Sequence, residues 1–182
     1  IGTLLATPAS VVSNTEIVST NSASVTATQA AALVQKFGAS VVNDGTFVIS
    51  DTAANLLTMS AAVFAEAFSV EISSGTATVH QALQLNSLAG ASLNTGSVNV
   101  SDTVENILAG VTDAANIVVL DDFASISINN AANVIQITAI NAALTGETTG
   151  AGGLTVVAPG YALTDTAANL AITGADQANA IL

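Results

Sequence analysis

Hydrophobic and polar positions alternate in short segments that recur along the chain. Three segments share a period-two alternation of hydrophobic residues that is followed directly by Ser or Thr: Phe47 with Ile49, Val98 with Val100, and Tyr161 with Leu163. This period is typical of a half-buried β-strand. An alanine-rich stretch follows two of the three segments, so the pattern predicts strands that lead into helical turns.

The same pattern predicts the other elements of the chain. Helices are expected at residues 28–37, which end before Gly38, and at residues 60–68. Strands are expected at residues 46–50, 69–72, 97–101, 117–120, 124–128 and 154–157. Residues 117–120 and 154–157 are hydrophobic on both faces, which is typical of strands in a parallel sheet that is covered on both sides.

One motif repeats. Asp-Thr-Ala-Ala-Asn-Leu occurs at 51–56 and at 165–170, and Asp-Thr-Val-Glu-Asn-Ile occurs at 102–107. Looser copies start at Thr28, His80 and Asn129, so that successive copies are separated by 22 to 36 residues. The repetition predicts a solenoid (α/β or β-solenoid) of about six turns, in which short parallel strands alternate with short helical turns. Residues 23–172 form the solenoid repeats, 1–22 a lead-in or partial repeat, and 173–182 the start of a further repeat.

Each motif offers side chains with a structural role. A side-chain oxygen at the first position, or on the Ser or Thr just before it, is expected to cap the helical turns. The first-position residues, whose oxygens also suit the positive ends of the helix dipoles, are Asp51, Asp102, Asn129 and Asp165. The asparagines four positions later are expected to point inward and bond to the backbone of adjacent turns; these are Asn55, Asn106, Asn133 and Asn169.

Composition limits the function. Hydrophobic residues make up 51% of the chain and charged residues 8%, and the net charge is −12 with a single basic residue, Lys36. Such a chain lacks the Lys and Arg that neutralise phosphates, which excludes ordinary nucleic-acid binding and attraction to anionic membranes. No stretch is apolar enough for membrane insertion. The absence of cysteine together with the acidity suits a bacterial protein that is secreted or lies at the cell surface.

Few residues suggest chemistry. His80 could act as a general base, but its alignment with Asp51 and Asp102 favours a cap position. Lys36 could form a Schiff base, but its place before Gly38 favours interaction with a helix end. We therefore expect no catalytic residue and no enzyme activity.

Calcium is the one cofactor that remains open. Asp44, Asp121 and Asp122 are the local candidate ligands, and the aspartates of the motif could line up as a ladder of oxygen ligands. Capping is the favoured role for the aspartates of the motif, so the expectation is a protein without a cofactor.

The motif and its setting resemble the beta-strand-repeat segments of large exported bacterial surface proteins, of the type I secretion, S-layer-like or adhesin-like kinds. The resemblance covers about residues 28–170, and the Gly-Gly-x-Gly-x-Asp calcium repeat of related proteins is missing. It implies an extracellular structural module that self-assembles with other copies of itself into a filament, a surface layer or an adhesin stalk. The alternative is an adhesin or fibre module that binds a cell-surface glycan or a host surface.

Overall fold

A computed structural model of the protein describes residues 2–6, 8, 24–38 and 47–145. Its helices are α1 (Gly2–Ala6), α2 (Ala27–Phe37), α3 (Ala53–Leu56), α4 (Ala61–Ala65), α5 (Val79–Ala89), α6 (Val104–Gly110), α7 (Ala114–Asp121) and α8 (Val134–Thr145), with a short 3-10 helix at Gly90–Ser92. Its strands are β1 (Ser24–Val25), β2 (Phe47–Asp51), β3 (Ala67–Ile72), β4 (Thr76–Ala77), β5 (Leu93–Asn94), β6 (Asn99–Asp102) and β7 (Ser125–Ile128).

Local sequence accounts for where α2 begins and ends. Thr26 caps its first turn, and Gln29 returns a hydrogen bond to the Thr26 backbone N–H, which completes a capping box. The helix ends at Gly38, which adopts φ 82° and donates its N–H to the Val34 carbonyl. A positive φ is readily accessible to glycine, so this residue allows the chain to leave the helix without strain.

The strands form two small parallel sheets. In the first, the order is β1-β2-β3-β5, and β2 pairs with β3 so that Ile49 lies opposite Val70. In the second, the order is β4-β6-β7, and Val100 lies between Ala77 and Ile126. All the described pairings are parallel, so paired strands are joined by crossover connections and not by hairpins.

The chain divides into two compact units. The first comprises Ile1–Gly75 and Gln84–Thr95, and the second comprises Thr76–Leu83 and Gly96–Leu182. Each has its own core of fully buried side chains. In the first unit these include Leu33, Phe47, Ile49, Leu56 and Phe64, and in the second Val100, Ile107, Leu120, Ile126 and Ile137.

The prediction of one solenoid of about six turns is wrong, because the structure is a mixed α/β fold with two small parallel sheets. The helices that connect the strands are also unequal in length, since α3 has 4 residues and α5 has 11. A continuous solenoid needs each strand to extend the same ladder. Here β4 begins soon after β3 ends, yet it pairs with β6 in a separate sheet.

The strand predicted at residues 117–120 is also wrong. These residues lie in α7, whose N-cap Asp113 accepts a hydrogen bond from the Ala115 N–H. A short run that is hydrophobic on both faces is compatible with either a buried strand or a helix, and the cap decides for the helix here. The helix predicted at 60–68 is shorter than expected, because β3 begins at Ala67. The strand predicted at 154–157 lies outside the described residues.

None of the helices in the described parts of the chain is long and apolar enough to cross a membrane.

Candidate functional site

The carboxylate of Asp51 connects the starts of two successive helices. Its Oδ1 atom accepts hydrogen bonds from the Thr52 N–H at 2.8 Å and from the Asn55 side-chain amide at 2.7 Å. Its Oδ2 atom accepts the N–H of Ala27, the first residue of α2, at 3.0 Å. One side chain therefore organises the first turn of α3 and also satisfies a free N–H of the helix that lies 24 residues earlier.

Asp102 repeats this arrangement in the second unit. Its Oδ1 atom accepts from the Thr103 N–H and the Asn106 side-chain amide, both at 2.8 Å. Its Oδ2 atom accepts the N–H of Val79, the first residue of α5, at 3.0 Å. Asp102 is 6% exposed, so its negative charge lies in an environment where hydrogen bonds are needed to offset the loss of water.

The helix caps are the threonines that follow these aspartates. The side chain of Thr52 accepts the Asn55 N–H, and that of Thr103 accepts the Asn106 N–H, each at 3.3 Å. The sequence pattern had assigned the cap to the aspartates or to the Ser or Thr just before them. The structure places the aspartates one residue before the cap, where they hold the N–H of the cap residue.

The motif asparagines bond within their own motif. Asn55 and Asn106 each donate their side-chain amide to the aspartate four residues earlier, and both are exposed. The expected inward contact with the backbone of adjacent turns is therefore not the contact made by these two side chains. Connection to the neighbouring helix comes instead from the second oxygen of the aspartate.

The looser copies of the motif start their helices in another way. Thr78 and Gln81 exchange hydrogen bonds between side chain and backbone in both directions, and Asn133 does the same with Gln136. Both pairs are capping boxes, like that of α2. In a capping box the glutamine accepts the N–H of the cap residue, and in the Asp-Thr-x-x-Asn form the aspartate accepts it.

A third side chain accepts the first N–H of an earlier helix, as Asp51 and Asp102 do, but through an amide oxygen. The Asn130 Oδ1 atom accepts the N–H of Val104, the first residue of α6, at 2.7 Å. We call the contacts Asp51–Ala27, Asp102–Val79 and Asn130–Val104 the three ties.

The sequence pattern had placed Asn129, not Asn130, at the position of the motif aspartate. Asn129 is exposed, and its backbone N–H donates to the Asp102 carbonyl. Asn133, which the pattern treated as an inward amide, is the residue that caps α8.

Glu105 extends the third tie. Its Oε2 atom accepts from the Asn130 side-chain amide at 3.0 Å, and its Oε1 atom accepts from Gln136 at 3.4 Å. Its own backbone N–H and the Asn130 amide hold the pKa of this carboxyl below its ordinary value. The pKa of Asp51 is lowered as well, mainly by the Asn55 amide; burial opposes this effect, and the N–H groups of Thr52 and Ala27 add smaller lowering effects. Both carboxylates are therefore stabilised in the charged form.

His80 does not occupy the position of the motif aspartates. It is the second residue of α5 and is exposed, whereas the residue that corresponds to Thr103 is Thr78. The sequence alignment that matched His80 with Asp102 was therefore out of register.

Lys36 lies in the last turn of α2. Its Nζ atom donates a hydrogen bond to the Leu5 carbonyl and lies 5.5 Å from the centre of the Phe37 ring.

The candidate calcium ligands are not brought together. Asp121 is the last residue of α7 and Asp122 is its C-cap, while Asp44, Asp165 and Asn169 lie outside the described residues. Within the described ranges, no group of three or more His, Cys, Asp or Glu side chains is placed to hold a metal ion. Both oxygens of Asp51 and of Asp102 accept N–H donors, so hydrogen bonding accounts for their positions.

The second sheet carries a polar chain of contacts that the sequence pattern missed. Asn99 on β6 donates its side-chain amide to the Ser127 hydroxyl at 3.1 Å and accepts from the Ser125 hydroxyl at 2.7 Å. Ser125 and Ser127 both lie on β7, so one amide joins two residues of the neighbouring strand. The sequence pattern predicted strands at both segments, but not the register that places these side chains together.

No family model, curated protein or solved structure matches this chain.

Proposed function

We propose that this chain is an extracellular structural repeat module that self-assembles with other copies into a filament, a surface layer or an adhesin stalk. It is a non-catalytic segment of an exported or cell-surface bacterial protein. Its partners are further copies of the same chain, and it uses no cofactor.

The observation that carries this proposal is the use of the repeated polar side chains. In the two described copies of the strict motif, the aspartate, threonine and asparagine side chains all hold helix starts. The second oxygen of each aspartate connects one repeat to the preceding one. Residues that recur in sequence and are engaged in contacts between repeats favour a structural role over a binding site.

Open sheet edges supply a route to assembly. Among the described residues, β1 and β5 pair on one side only in the first sheet, and β4 and β7 do so in the second. A strand with an unpaired edge can accept another strand through backbone hydrogen bonds. The net charge of −12 opposes close approach of identical copies, so salt that screens this repulsion favours assembly.

The test is to follow particle size by light scattering across a dilution series at low and high salt, with negative-stain microscopy of the same samples. We expect ordered fibres or sheets that grow with concentration and with salt. The control is a variant in which the exposed hydrophobic residues Phe68, Val118 and Ile135 are replaced by serine, which removes non-specific hydrophobic aggregation. A chain that stays monomeric at every concentration and salt level contradicts the proposal.

One observation favours the alternative, an adhesin or fibre module that binds a glycan. Phe68 is 69% exposed and lies where the pairing of β2 with β3 shifts register, between the partners of Phe47 and Val48. A bulge redirects a side chain away from the alternation of its strand, and exposed aromatic rings are common in sugar-binding sites. Binding to a glycan array that is lost in Phe68→Ala and kept in Val118→Ala would support this function, and no binding by the unaltered chain would contradict it.

A further inference from the structure

We propose that the three ties respond differently to acid, so that the two carboxylate ties, Asp51–Ala27 and Asp102–Val79, open as the pH falls while the amide tie, Asn130–Val104, stays closed. The ties between repeats would then open in stages. This response to acid follows from the side chains that form the ties and does not depend on self-assembly.

The geometry explains why a proton would open the carboxylate ties. In Asp51 and Asp102, both oxygens face N–H donors, namely the first helical N–H on one side and the cap N–H with the asparagine amide on the other. A proton taken up from solvent forms an O–H bond on one of these oxygens and removes the negative charge. The protonated oxygen then presents a hydrogen toward a donor, and charge-assisted hydrogen bonds become weaker neutral ones.

Asn130 cannot respond in this way. Its Oδ1 atom accepts the Val104 N–H at 2.7 Å, and its Nδ2 atom donates to Glu105 at 3.0 Å. A side-chain amide does not take up a proton in the range where carboxylates titrate. Acid can remove the bond to Glu105 by protonating that carboxylate, but the bond that closes the tie persists.

Other charged groups near the carboxylate ties are few. For Asp51, α2 carries only Lys36, at the opposite end of the helix, α3 carries no charged residue, and β3 carries Glu71, in register with Ser50. For Asp102, α5 contributes His80 directly after Val79, α6 contributes Glu105, and β4 and β7 contribute none. Hydrogen-bond donors, rather than charged side chains, therefore face both oxygens of each aspartate.

The direction of the effect at Asp51 is set by its hydrogen bonds. Its N–H donors hold the pKa of the folded carboxyl below the ordinary value. The stability from this tie is therefore fully present above the pKa of the unfolded chain and is lost as the pH falls through the lowered folded value.

The test is an NMR pH titration of the whole chain, which follows the amide proton shifts of Ala27, Val79 and Val104 and their protection from hydrogen exchange relative to the intrinsic rate at each pH. We expect the Ala27 and Val79 amides to move with the titration of their aspartates and to lose protection by roughly fivefold. The Val104 amide keeps its protection over the same range. Joint loss of protection at all three amides, or its persistence at Ala27 and Val79 in acid, overturns the proposal.

Two kinds of variant separate this response from general acid unfolding. Asp51→Asn and Asp102→Asn place an amide where the carboxylate lay, as in the Asn130–Val104 tie, so the Ala27 or Val79 amide is expected to stop responding to pH over the range in which carboxylates titrate. Asn130→Asp is the converse change and should make the Val104 amide sensitive to pH. The proposal is contradicted if the Val104 amide in Asn130→Asp remains insensitive to pH. It is also contradicted if the Ala27 and Val79 amides still respond to pH in the asparagine variants.

Discussion

Asp102 and Val79 are 23 residues apart in sequence, and the Oδ2 atom of Asp102 accepts the Val79 N–H at 3.0 Å in the buried part of the second unit. This contact joins the end of β6 to the start of α5. The same carboxylate also holds the first turn of α6, so a single buried side chain satisfies donors in two helices.

Replacing Asp102 by alanine should be strongly destabilising. The change removes three hydrogen bonds and leaves the N–H groups of Val79 and Thr103 without this acceptor. We expect a loss of about 2–3 kcal/mol in the free energy of unfolding, measured by urea denaturation. Asp122→Ala is the matched control, because Asp122 is exposed at the C-terminal end of α7 and should change stability by less than about 0.5 kcal/mol. Equal effects of the two changes would contradict the assignment.

Gly110 should not tolerate a side chain. A Cβ atom at this position would lie 2.6 Å from the Cγ1 atom of Val79, a buried β-branched residue with little freedom to move. We expect Gly110→Ala to cost about 1–3 kcal/mol in thermal or chemical denaturation. Gly96→Ala meets no atom within 4 Å and serves as the control. The combination of Gly110→Ala with Val79→Ala should relieve the clash, so that the two changes together cost less than the sum of their separate effects.

The threonine cap of α6 can be tested against a helix start that has no such bond. Thr103→Ala removes the acceptor of the Asn106 N–H and should cost about 1 kcal/mol, whereas Thr103→Ser keeps the hydroxyl and most of the stability. Ser60 precedes α4 at the same position but makes no cap hydrogen bond through its side chain. Denaturation curves should therefore show a smaller effect for Ser60→Ala than for Thr103→Ala, and the reverse order would be inconsistent with the cap.

The Asn55 amide should be the main cause of the lowered pKa of Asp51. Its removal in Asn55→Ala is expected to raise the Asp51 pKa toward the ordinary value, as followed by carboxyl carbon shifts in an NMR titration. Because the folded-state pKa then lies closer to that of the unfolded chain, the variant should also lose less stability on acidification than the unaltered chain. Asn94→Ala, at an exposed position on β5, should leave the Asp51 titration unchanged.

Local patterns in the sequence predicted several elements because their causes are local. The helix at residues 28–37 agrees with α2 to within one residue, since its start and its glycine end depend on neighbouring residues. The alternating segments near Phe47, Val100 and Ile126 are strands, with these residues pointing inward. The pattern did not distinguish strand from helix at residues 117–120, where hydrophobic residues occur on both faces.

The roles within the motif were only partly accessible from sequence. Aspartate, serine and threonine are all good helix caps, and the pattern assigned the cap of α3 to Asp51 or the serine before it, whereas the structure places it on Thr52. The looser copies were placed out of register, because Thr78 and Asn133 start their helices without a preceding aspartate. The capping boxes Thr26 to Gln29 and Thr78 to Gln81 were the local signal that could have corrected this placement.

The sequence by itself determined that Asp51 and Asp102 belong to one recurring structural element, since the same residues recur in the same order and a helical turn follows each of them. Only the tertiary structure decided what the second oxygen of each carboxylate binds, because its donor lies on a helix 23 or 24 residues away. It also decided that the strands divide between two sheets. Strand pairing and interhelical hydrogen bonds depend on the whole arrangement of the chain, whereas a cap depends on its neighbours alone.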